Sequence, residues 1–401
     1  MDEDQVNLRT QYPHWAQHLS NEGYATGYFG KWHADHSERL ENFGWQKYAT
    51  IESLRRDAKS AFFKAQAQPQ YTLEGFVNMP EGYQKQRFYG AVDTPAEKRG
   101  MGLWANMAME FLDEVMQNDA PWCCFLSVTE PHDPFYCSSD ALAQYDIENI
   151  PLPPNLNDDF AERPGIYRKA GRAWQNWTER QHREAAACYY ASISEIDATF
   201  GRVLDKVEQS GQLDNTIVVV TSDHGELLGA HGLYCKNFTA AEEIYNIPMI
   251  LSGPGIAAGK VSNARVGLHD LGSTLLELAQ CESIDYSDSR SFAKVLLKPH
   301  TAESNFQQGY AEYFGTRVLI TQRVLWDGSW KFIFNGFDVD ELYNMEEDPW
   351  EMNNLAEKSE HQPRVKSMMK QMWNIWKTTG DKTLLNSQYP ILRIAPYGPD
   401  V

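Results

Sequence analysis

The stretch Val218-Val-Val-Thr-Ser-Asp-His-Gly-Glu226 places a carboxylate and an imidazole directly after a run of β-branched residues. Ile217 to Val220 is short and apolar, which predicts a buried strand. Asp223 and His224 follow the end of that strand, and in open α/β sheets ligands bind just beyond the carboxyl ends of the strands. This pair can therefore hold a hard cation or polarise a substrate oxygen. The alternative, equally open from this stretch alone, is that Asp223 and His224 only cap the following segment.

Two earlier stretches repeat this arrangement of an apolar strand followed by polar groups. Residues 24–29 predict a short strand, and Lys31 and His33 follow it on the same side of an extended segment. Residues 122–128 predict another strand, after which His132 stands between two prolines that restrict its backbone. For His132 the alternative is a turn histidine bonded to the backbone. Together with the stretch above, these groups predict amines, imidazoles and a carboxylate along one rim of a sheet.

The composition limits the architecture and the partners of the protein. With 401 residues, of which 42% are hydrophobic, the chain is long enough for one large α/β domain and a smaller one. A net charge of -19 argues against nucleic acid as a partner, because phosphate contacts need clustered Lys and Arg. No stretch is apolar for long enough to span a bilayer, and the acidic start has no apolar leader region. The compartment stays open.

Helical and strand periodicities predict a mixed α/β fold with a smaller C-terminal α+β subdomain. A helix is expected at 180–209, with its apolar stripe in the core, and repeated helix–strand alternation indicates a parallel sheet. Residues 35–100 have a mixed polar and aromatic composition, which we interpret as long loops with short helices. Alternating apolar and polar residues at 307–314, 317–325 and 330–334 predict an antiparallel sheet, followed by an amphipathic helix at 361–378. We therefore expect a domain from 1 to 300 and a subdomain from 301 to 401.

Ordered motifs run through most of residues 7–356. Together these motifs resemble the sulfatases of the alkaline-phosphatase superfamily. The resemblance implies an alkaline-phosphatase-like mixed sheet flanked by helices. The matching segments are Gly23-Tyr-Ala-Thr-Gly-Tyr-Phe-Gly-Lys-Trp-His33, Pro131-His-Asp-Pro134, Thr221-Ser-Asp-His-Gly225, His231-Gly through Lys236, the strand and turn that end at Gly255, the helix from His269 to Ala279, and the closing stretch from Asp340 to Leu355.

The resemblance implies a role for four residues of the predicted rim. Lys31 would stabilise the nucleophile and the sulfate charge, with His33 beside it, and Lys236 would contact the sulfate oxygens. His132 would give a proton to the leaving alcohol. These roles suit the reaction, because attack at the sulfur of an anionic ester needs cations around its oxygens and the leaving oxygen needs a proton.

The resemblance also implies a divalent cation, Ca²⁺, with Asp223 and His224 among its ligands. The nucleophile of the family is a formylglycine made from Cys or Ser in a C/S-x-P-S-R segment, and no Cys or Ser of this sequence begins such a segment. The family's paired-Asp motif is also missing, since Asp2-Glu3-Asp4 has no apolar strand before it. We therefore expect either an N-terminally incomplete enzyme or a chain that cannot perform the chemistry as it stands, with negligible arylsulfatase turnover.

The function expected from the resemblance is that of a sulfatase, which hydrolyses the sulfate ester of a small molecule or a carbohydrate. Two alternatives stay open from the sequence. One is a phosphodiesterase or phosphonate hydrolase of the same superfamily, because the nucleophile segment that would separate these activities is missing. The other is a non-catalytic sulfatase-like chain that binds anions or partners.

Overall fold

The computed structural model describes residues 13–34, 38–56, 69–236, 238–284, 288–315, 319–384 and 394–401. The strands are β1 (Ala25–Gly30), β2 (Lys47–Thr50), β3 (Tyr71–Phe76), β4 (Arg87–Val92), β5 (Trp122–Ser127), β6 (Phe135–Ser138), β7 (Val218–Thr221), β8 (Met249–Ser252), β9 (Gln308–Tyr313), β10 (Gln322–Asp327), β11 (Trp330–Asn335) and β12 (Glu341–Asn344). The α-helices are α1 (Trp15–Asn21), α2 (Ile51–Arg56), α3 (Gly100–Val115), α4 (Ser139–Leu142), α5 (Gly165–Gly171), α6 (Glu179–Gln209), α7 (Glu242–Tyr245), α8 (Leu268–Leu278), α9 (Ala293–Leu297), α10 (Pro299–Ala302) and α11 (Gln362–Thr379).

Three parallel strands form the sheet that carries the first half of the predicted rim. β1 pairs with β2 on one side and with β5 on the other, in the order β2-β1-β5. Helix α3 packs on this sheet, where its buried Phe111 contacts Phe29 of β1. The strands predicted at 24–29 and 122–128 are confirmed to within one residue at each end. Their carboxyl ends therefore lie side by side.

Strand β7 pairs antiparallel with β8. The register sets Val218 opposite Ser252 and Thr221 opposite Met249, so β8 begins at the rim where β7 ends. Helix–strand alternation predicts parallel pairing, and for β7 and β8 that prediction is wrong. In the described residues of the connection at 222–248, the one-turn α7 is the sole α-helix. The connection therefore does not carry the chain back across the sheet, and β8 starts at the rim where β7 ends. The expected mixed α/β class is confirmed.

A second sheet occupies part of the chain that the composition predicts to be loops. β3 pairs antiparallel with β4, and β4 pairs parallel with β6. The prediction of long loops for 35–100 is therefore wrong at β2, β3 and β4, although residues 35–37 and 57–68 lie outside the described residues. Phe88 and Tyr89 of β4 are buried. Short strands rich in aromatic residues show little alternation of apolar and polar positions. They are therefore recognised from their packing in the structure and not from the sequence.

The long helix α6 covers the second sheet. A capping box begins it, because Thr178 Oγ1 accepts from Gln181 N at 3.3 Å and Gln181 Oε1 accepts from Thr178 N at 2.9 Å. Its buried face holds small residues, among them Ala185 and Ala191, which let β4 and β6 approach closely. The large apolar stripe stays partly exposed, with Ile193 at 44% exposure. Val207 of that stripe is buried and Val203 packs against the same core cluster, so the prediction of the stripe in the core is confirmed there. It is wrong at Ile193, because the second sheet contacts the small-residue face of the helix.

The C-terminal part combines an antiparallel sheet with a helix. The strands pair in the order β12-β11-β10-β9. Helix α11 lies on this sheet and buries Met368, Met372 and Trp376 against Phe332 and Phe334 of β11. This arrangement confirms the predicted combination of antiparallel strands and an amphipathic helix.

The boundaries in the C-terminal part agree with the sequence at two of three strands. The predictions at 307–314 and 330–334 are confirmed, whereas the strand predicted at 317–325 begins only at Gln322. Residues 316–318 lie outside the described residues.

The division of the chain after residue 300 stays a prediction. Among the described helices, none combines the length and the apolar character that a membrane crossing needs.

Candidate active site

The loop after β1 and the end of β5 are held together at the rim. Gly30 ends β1 with φ at +121°, and a Cβ atom there would lie 1.8 Å from the carbonyl oxygen of Ser127. The next amide, that of Lys31, donates to the same oxygen at 2.8 Å. The hydroxyl of Tyr28 donates to the Lys31 carbonyl. Glycine at position 30 allows this approach of two backbones, and so the local sequence places Lys31 beside the end of β5.

Amines, imidazoles and one carboxylate meet where the loops after β1, β5 and β7 converge. Lys31 Nζ lies 2.8 Å from Asp223 Oδ2. Lys236 Nζ lies 3.1 Å from His132 Nε2 and 2.8 Å from His224 Nε2. We call these five residues the rim cluster. The structure thus brings together five of the six side chains that the sequence predicts for the site.

The sixth predicted residue, His33, is exposed and lies two positions beyond Lys31. The intervening Trp32 is buried against Tyr28 and Phe43. Alternate residues of this segment therefore differ in burial, as the extended geometry predicts. A role for His33 stays a prediction.

Both imidazoles of the rim cluster turn an acceptor nitrogen toward Lys236. An ammonium group only donates hydrogen bonds, so the Nε2 atoms of His132 and His224 accept from it. His132 Nδ1 donates to Asp133, with 3.0 Å to Oδ1 and 3.0 Å to the backbone oxygen. His224 Nδ1 donates to the Gly225 carbonyl at 2.8 Å. Each ring is therefore held with a proton on Nδ1 and with Nε2 facing the centre of the cluster.

The two imidazoles differ in how strongly they hold a second proton. The hydrogen bond to the Asp133 carboxylate raises the pKa of His132 above its ordinary value, against the lowering effect of burial. Burial lowers the pKa of His224, and its bond to a neutral carbonyl compensates only in part. His132 is therefore the ring of the pair that more readily carries a second proton, which a general acid must have before it can donate it.

Burial and neighbouring charges shift the pKa values of two charged groups of the rim cluster, Lys236 and Asp223. Burial, and after it the neighbouring charge of Lys31, lowers the pKa of Lys236 from its ordinary value. Burial raises the pKa of Asp223, but the hydrogen bond and the charge of Lys31 outweigh it, so the net pKa is lowered. Two ammonium groups at one rim create a local positive region on an acidic protein, and such a region favours a small anion.

The segment that leads into Lys236 begins with a close backbone contact. A Cβ atom on Gly225 would lie 1.9 Å from the carbonyl oxygen of Glu243, and the Gly225 amide donates to the Ile244 carbonyl at 2.8 Å. The next residue, Glu226, is partly buried, and burial raises the pKa of its carboxyl to about 7. The chain that carries Asp223 and His224 is thus pinned directly against α7.

Two residues next to the rim cluster were not predicted from the sequence. Asp133 orients His132, and Glu226 accepts two amides of the loop that ends at Lys236. Both lie inside motifs quoted above, Asp133 next to the predicted acid and Glu226 at the end of the opening stretch. Their positions inside these motifs indicate a role near the site. The sequence does not indicate that Asp133 contacts the His132 ring or that Glu226 contacts backbone amides, because these contacts depend on how the loops fold.

The two predicted cation ligands lie close to each other at the rim. Asp223 Oδ1 and His224 Nε2 lie 3.6 Å apart, a separation that lets one ion bind both. Ca²⁺ takes about six to eight oxygen ligands, and the rim cluster supplies a single carboxylate, whose other oxygen pairs with Lys31. The rim cluster therefore fits a portion of a divalent-cation shell and does not complete a Ca²⁺ site.

Another group in the described part of the chain has the spacing of metal ligands. His231, Glu243 and Glu351 each offer one ligand atom, and these atoms lie within 4.8 Å of one another. Each already has a hydrogen-bonding partner. Asn155 Nδ2 lies 3.1 Å from His231 Nε2 and 3.3 Å from Glu243 Oε1, and Lys331 Nζ lies 2.8 Å from Glu351 Oε1. This group is a candidate cation site by geometry, and it is separate from Asp223 and His224.

Solved structures share this architecture. A protein solved in complex with its substrate D-glucosamine-2-N,6-O-disulfate matches with a TM-score of 0.72 at 22% identity, over 95% of this chain and 85% of that chain. The phosphonate monoester hydrolase from Silicibacter pomeroyi matches with a TM-score of 0.74 at 22% identity, over 95% of this chain and 83% of that chain. At this identity the likeness concerns the fold, which places the protein in the alkaline-phosphatase-like α/β class.

Sequence comparison shows to which family within this fold class the chain belongs. The family model described as Sulfatase matches residues 3–281, more than half of the chain, and the model described as N-sulphoglucosamine sulphohydrolase, C-terminal, matches residues 229–378. The chain therefore belongs to the sulfatase family, whose members are hydrolases of sulfate esters. The resemblance drawn from the motifs is confirmed.

Curated relatives are similar over much of the chain. The protein is 28% identical to the choline-sulfatase of Rhizobium meliloti (strain 1021) over 385 residues, which cover 88% of this chain and 69% of that protein. It is 32% identical to the N-acetylglucosamine-6-O-sulfatase of Bacteroides thetaiotaomicron over 220 residues, which cover 52% of this chain and 39% of that protein. The matches thus span at most about two thirds of these relatives.

Proposed function

We propose that this protein is a sulfuric ester hydrolase that acts on a sulfate monoester of a small molecule or a carbohydrate. The observation that carries the proposal is the rim cluster, in which Lys236 lies 3.1 Å from His132 and 2.8 Å from His224 while Lys31 pairs with Asp223. The names of two relatives, a choline-sulfatase and an N-acetylglucosamine-6-O-sulfatase, support both kinds of substrate.

Lys31 and Lys236 bind the sulfate group in this proposal. A sulfate monoester is an anion, and its charge must be held while the bond between sulfur and the leaving oxygen breaks. Within the described part of the chain, the hydrogen-bonding partners of the Lys236 amine are two imidazole nitrogens and no carboxylate. Because neutral imidazoles are weaker partners than an anion, Lys236 can turn to a sulfate oxygen at little cost.

His132 supplies the proton in this proposal. Once Lys236 has turned to a sulfate oxygen, His132 Nε2 takes up a proton from solvent. As the bond to the leaving oxygen breaks, this proton passes to that oxygen and leaves the product as a neutral alcohol. Asp133 supports the protonated ring through its bond to Nδ1. The sequence holds no C/S-x-P-S-R segment to supply the family's formylglycine, and no residue of the rim cluster takes the place of that nucleophile in this proposal.

A divalent cation, when bound at the rim, would neutralise the sulfate oxygens and orient them. Asp223 and His224 are proposed to contribute two of its ligands, and the identity of the ion as Ca²⁺ is part of this proposal. The remaining ligands are not among the side chains of the rim cluster. The roles proposed above for Lys31, Lys236 and His132 therefore do not depend on the ion.

Hydrolysis of a phosphonate or phosphate ester is the second candidate. The protein is 26% identical over 312 residues to a multifunctional alkaline phosphatase superfamily protein, PehA, of Trinickia caryophylli. The rim cluster does not separate the two substrate classes, because phosphonate and sulfate oxygens are similar acceptors. The affinity for the free anions separates the two classes, since a site built for sulfate should bind inorganic sulfate more tightly than methylphosphonate.

Calorimetric titration with inorganic sulfate tests the proposal. We expect the protein to bind sulfate, and Lys31→Met and Lys236→Met each to weaken binding by about tenfold or more, as expected for the loss of one charge-assisted contact. Lys47→Met is the matched control, because Lys47 pairs with Glu114 on an exposed surface. Sulfate binding that survives both rim substitutions, or tighter binding of methylphosphonate, would contradict the assignment. Because the sequence holds no formylglycine segment, these 401 residues alone are expected to turn over a chromogenic sulfate ester only negligibly, so anion binding and not turnover is the readout.

A further inference from the structure

The loop from Glu226 to Lys236, here called the Lys236 loop, has left-handed backbone angles at several positions. Leu228, His231 and Cys235 have φ angles of 45°, 54° and 65°, although none of them is glycine. L side chains rarely adopt this left-handed region, and such residues persist only where surrounding contacts hold them. The position of Lys236 therefore depends on what holds the loop closed.

One carboxylate oxygen joins the two ends of the Lys236 loop. Glu226 Oε1 accepts from the Leu228 amide at 3.2 Å and from the Cys235 amide at 2.5 Å. Cys235 directly precedes Lys236, so this contact fixes the residue from which the amine extends. Two backbone bonds cross the loop behind it, from Leu227 N to Cys235 O at 3.3 Å and from Gly229 N to Leu233 O at 2.8 Å.

Other contacts hold the middle of the Lys236 loop rather than its ends. His231 is buried, and its Nδ1 lies 2.7 Å from Asp158 Oδ2. Tyr234 is buried beside His182, with 2.8 Å between the hydroxyl and His182 Nδ1. These contacts hold the centre of the loop in place, but they do not bind the Cys235 backbone, from which Lys236 extends. Next to Lys236, Glu226 holds the Cys235 amide, and the Asp133 carboxylate accepts from the Cys235 thiol. Of these two, Glu226 is the one that ties the Cys235 backbone to the start of the loop.

We propose that Glu226 is a positioning residue, which closes the Lys236 loop through the Leu228 and Cys235 amides and thereby holds the Lys236 amine at the rim cluster. The inference rests on the proposed function, because it treats Lys236 as the sulfate-binding amine. Glu226 contacts backbone amides and not the sulfate. Its substitution therefore acts through the loop.

Hydrogen–deuterium exchange of the full chain tests the closure without any ligand. In Glu226→Leu the Leu228 and Cys235 amides lose their acceptor, so exchange in residues 227–236 should rise by about tenfold or more while exchange in α6 and α11 stays unchanged. Glu226→Gln keeps an oxygen at the same distance along the side chain and should exchange like the wild type. Unchanged exchange in Glu226→Leu would overturn the proposal.

Sulfate affinity tests the consequence for Lys236. Titration with inorganic sulfate should show Glu226→Leu weakened by about tenfold, close to Lys236→Met, and Glu226→Gln within about threefold of the wild type. A merely structural role would lower the melting temperature without changing the affinity of the folded protein. A Glu226→Leu protein that is folded and binds sulfate like the wild type would therefore refute the inference, as would a Glu226→Gln protein as weak as Glu226→Leu.

Asp270 offers a matched control elsewhere in the fold. It is a buried carboxylate that also accepts two amides, those of Gly267 at 3.0 Å and Arg290 at 2.7 Å. Asp270→Leu should lower the melting temperature and leave sulfate affinity unchanged. Equal weakening of sulfate binding by Asp270→Leu would show that general destabilisation is the cause and would overturn the proposal.

A second variant covers the case in which Glu226→Leu does not fold. Glu226→Asp keeps the charge but is one methylene shorter, so its oxygens fall short of the Cys235 amide, and it should raise exchange in 227–236 and weaken sulfate binding. Wild-type behaviour of Glu226→Asp would refute the inference. If the wild type itself binds no sulfate, the proposed function fails, and the exchange results alone decide whether Glu226 closes the loop.

Discussion

At the scale of single residues, the rim depends on glycines that let one backbone approach another. A Cβ atom on Gly225 would lie 1.9 Å from the carbonyl oxygen of Glu243. That oxygen belongs to the backbone and cannot turn away as the end of a side chain can. A larger residue at position 225 must therefore shift the segment that carries Asp223 and His224.

Gly225→Ala is expected to lower the free energy of unfolding by about 2 kcal/mol, the size of an overpacked contact, and to weaken sulfate binding. Urea unfolding and sulfate titration measure the two effects. Gly201→Ala is the matched control, because nothing lies within 4 Å of a Cβ atom at that position of α6. That change should raise the free energy of unfolding by about 0.5–1 kcal/mol. A Gly225→Ala protein as stable as the wild type would contradict the close approach.

At the scale of elements, the turn between β11 and β12 holds a carboxyl group that resists ionisation. Asp340 Oδ1 accepts from the Asn335 amide at 2.8 Å, and burial raises the pKa of Asp340 from 3.8 to about 7. Between these two values the folded protein binds more protons than the unfolded chain. Stability therefore falls as the pH rises through that window, and the loss is complete above the folded pKa.

Asp340→Asn should remove this loss, because asparagine keeps the oxygen that accepts from Asn335 and never ionises. We expect a gain of about 1–2 kcal/mol in the free energy of unfolding at pH 8, which shrinks as the pH falls toward 4. Urea unfolding at several pH values measures it. Asp338→Asn, on the exposed side of the same turn, should show no such gain. A pH-independent difference between Asp340→Asn and the wild type would show that ionisation of Asp340 is not the cause.

At the scale of the whole molecule, a buried ion pair joins the C-terminal sheet to the part of the chain that follows the Lys236 loop. Lys331 of β11 is fully buried, and its Nζ lies 2.8 Å from Glu351 Oε1 and 3.3 Å from Glu242 Oε2. Glu242 begins α7, against which Gly225 packs. Removing one partner leaves a charge without compensation in a region with little water.

Lys331→Met is expected to lower the free energy of unfolding by about 3 kcal/mol. The double variant Lys331→Met with Glu351→Gln should lose less than the sum of the single changes, because no uncompensated charge remains at position 351. Urea unfolding of the four proteins completes the cycle. Lys358→Met breaks an exposed pair with Glu162 and should cost less than about 1 kcal/mol. Additive single changes at 331 and 351 would disprove the coupling.

The parts of the fold that the sequence predicts well are those with a local signal. β1, β5 and β7 are short apolar runs followed by polar residues, and α6 has a capping residue and helical spacing. The ordered motifs identified the family. β3 and β4 were missed because short aromatic strands lack a distinct period, and the antiparallel pairing of β8 was missed because it depends on the path of a long loop.

The sequence by itself determined the family, the residues that reach the rim and the strands that carry them. Only the tertiary structure decided which of these side chains touch: Lys31 meets Asp223 across 192 residues, and Lys236 meets His132 across 104. It also decided that Glu226 faces the backbone of its own loop. The physical reason is that propensity and periodicity act over a few residues, whereas contacts between distant loops depend on how the sheets and helices pack.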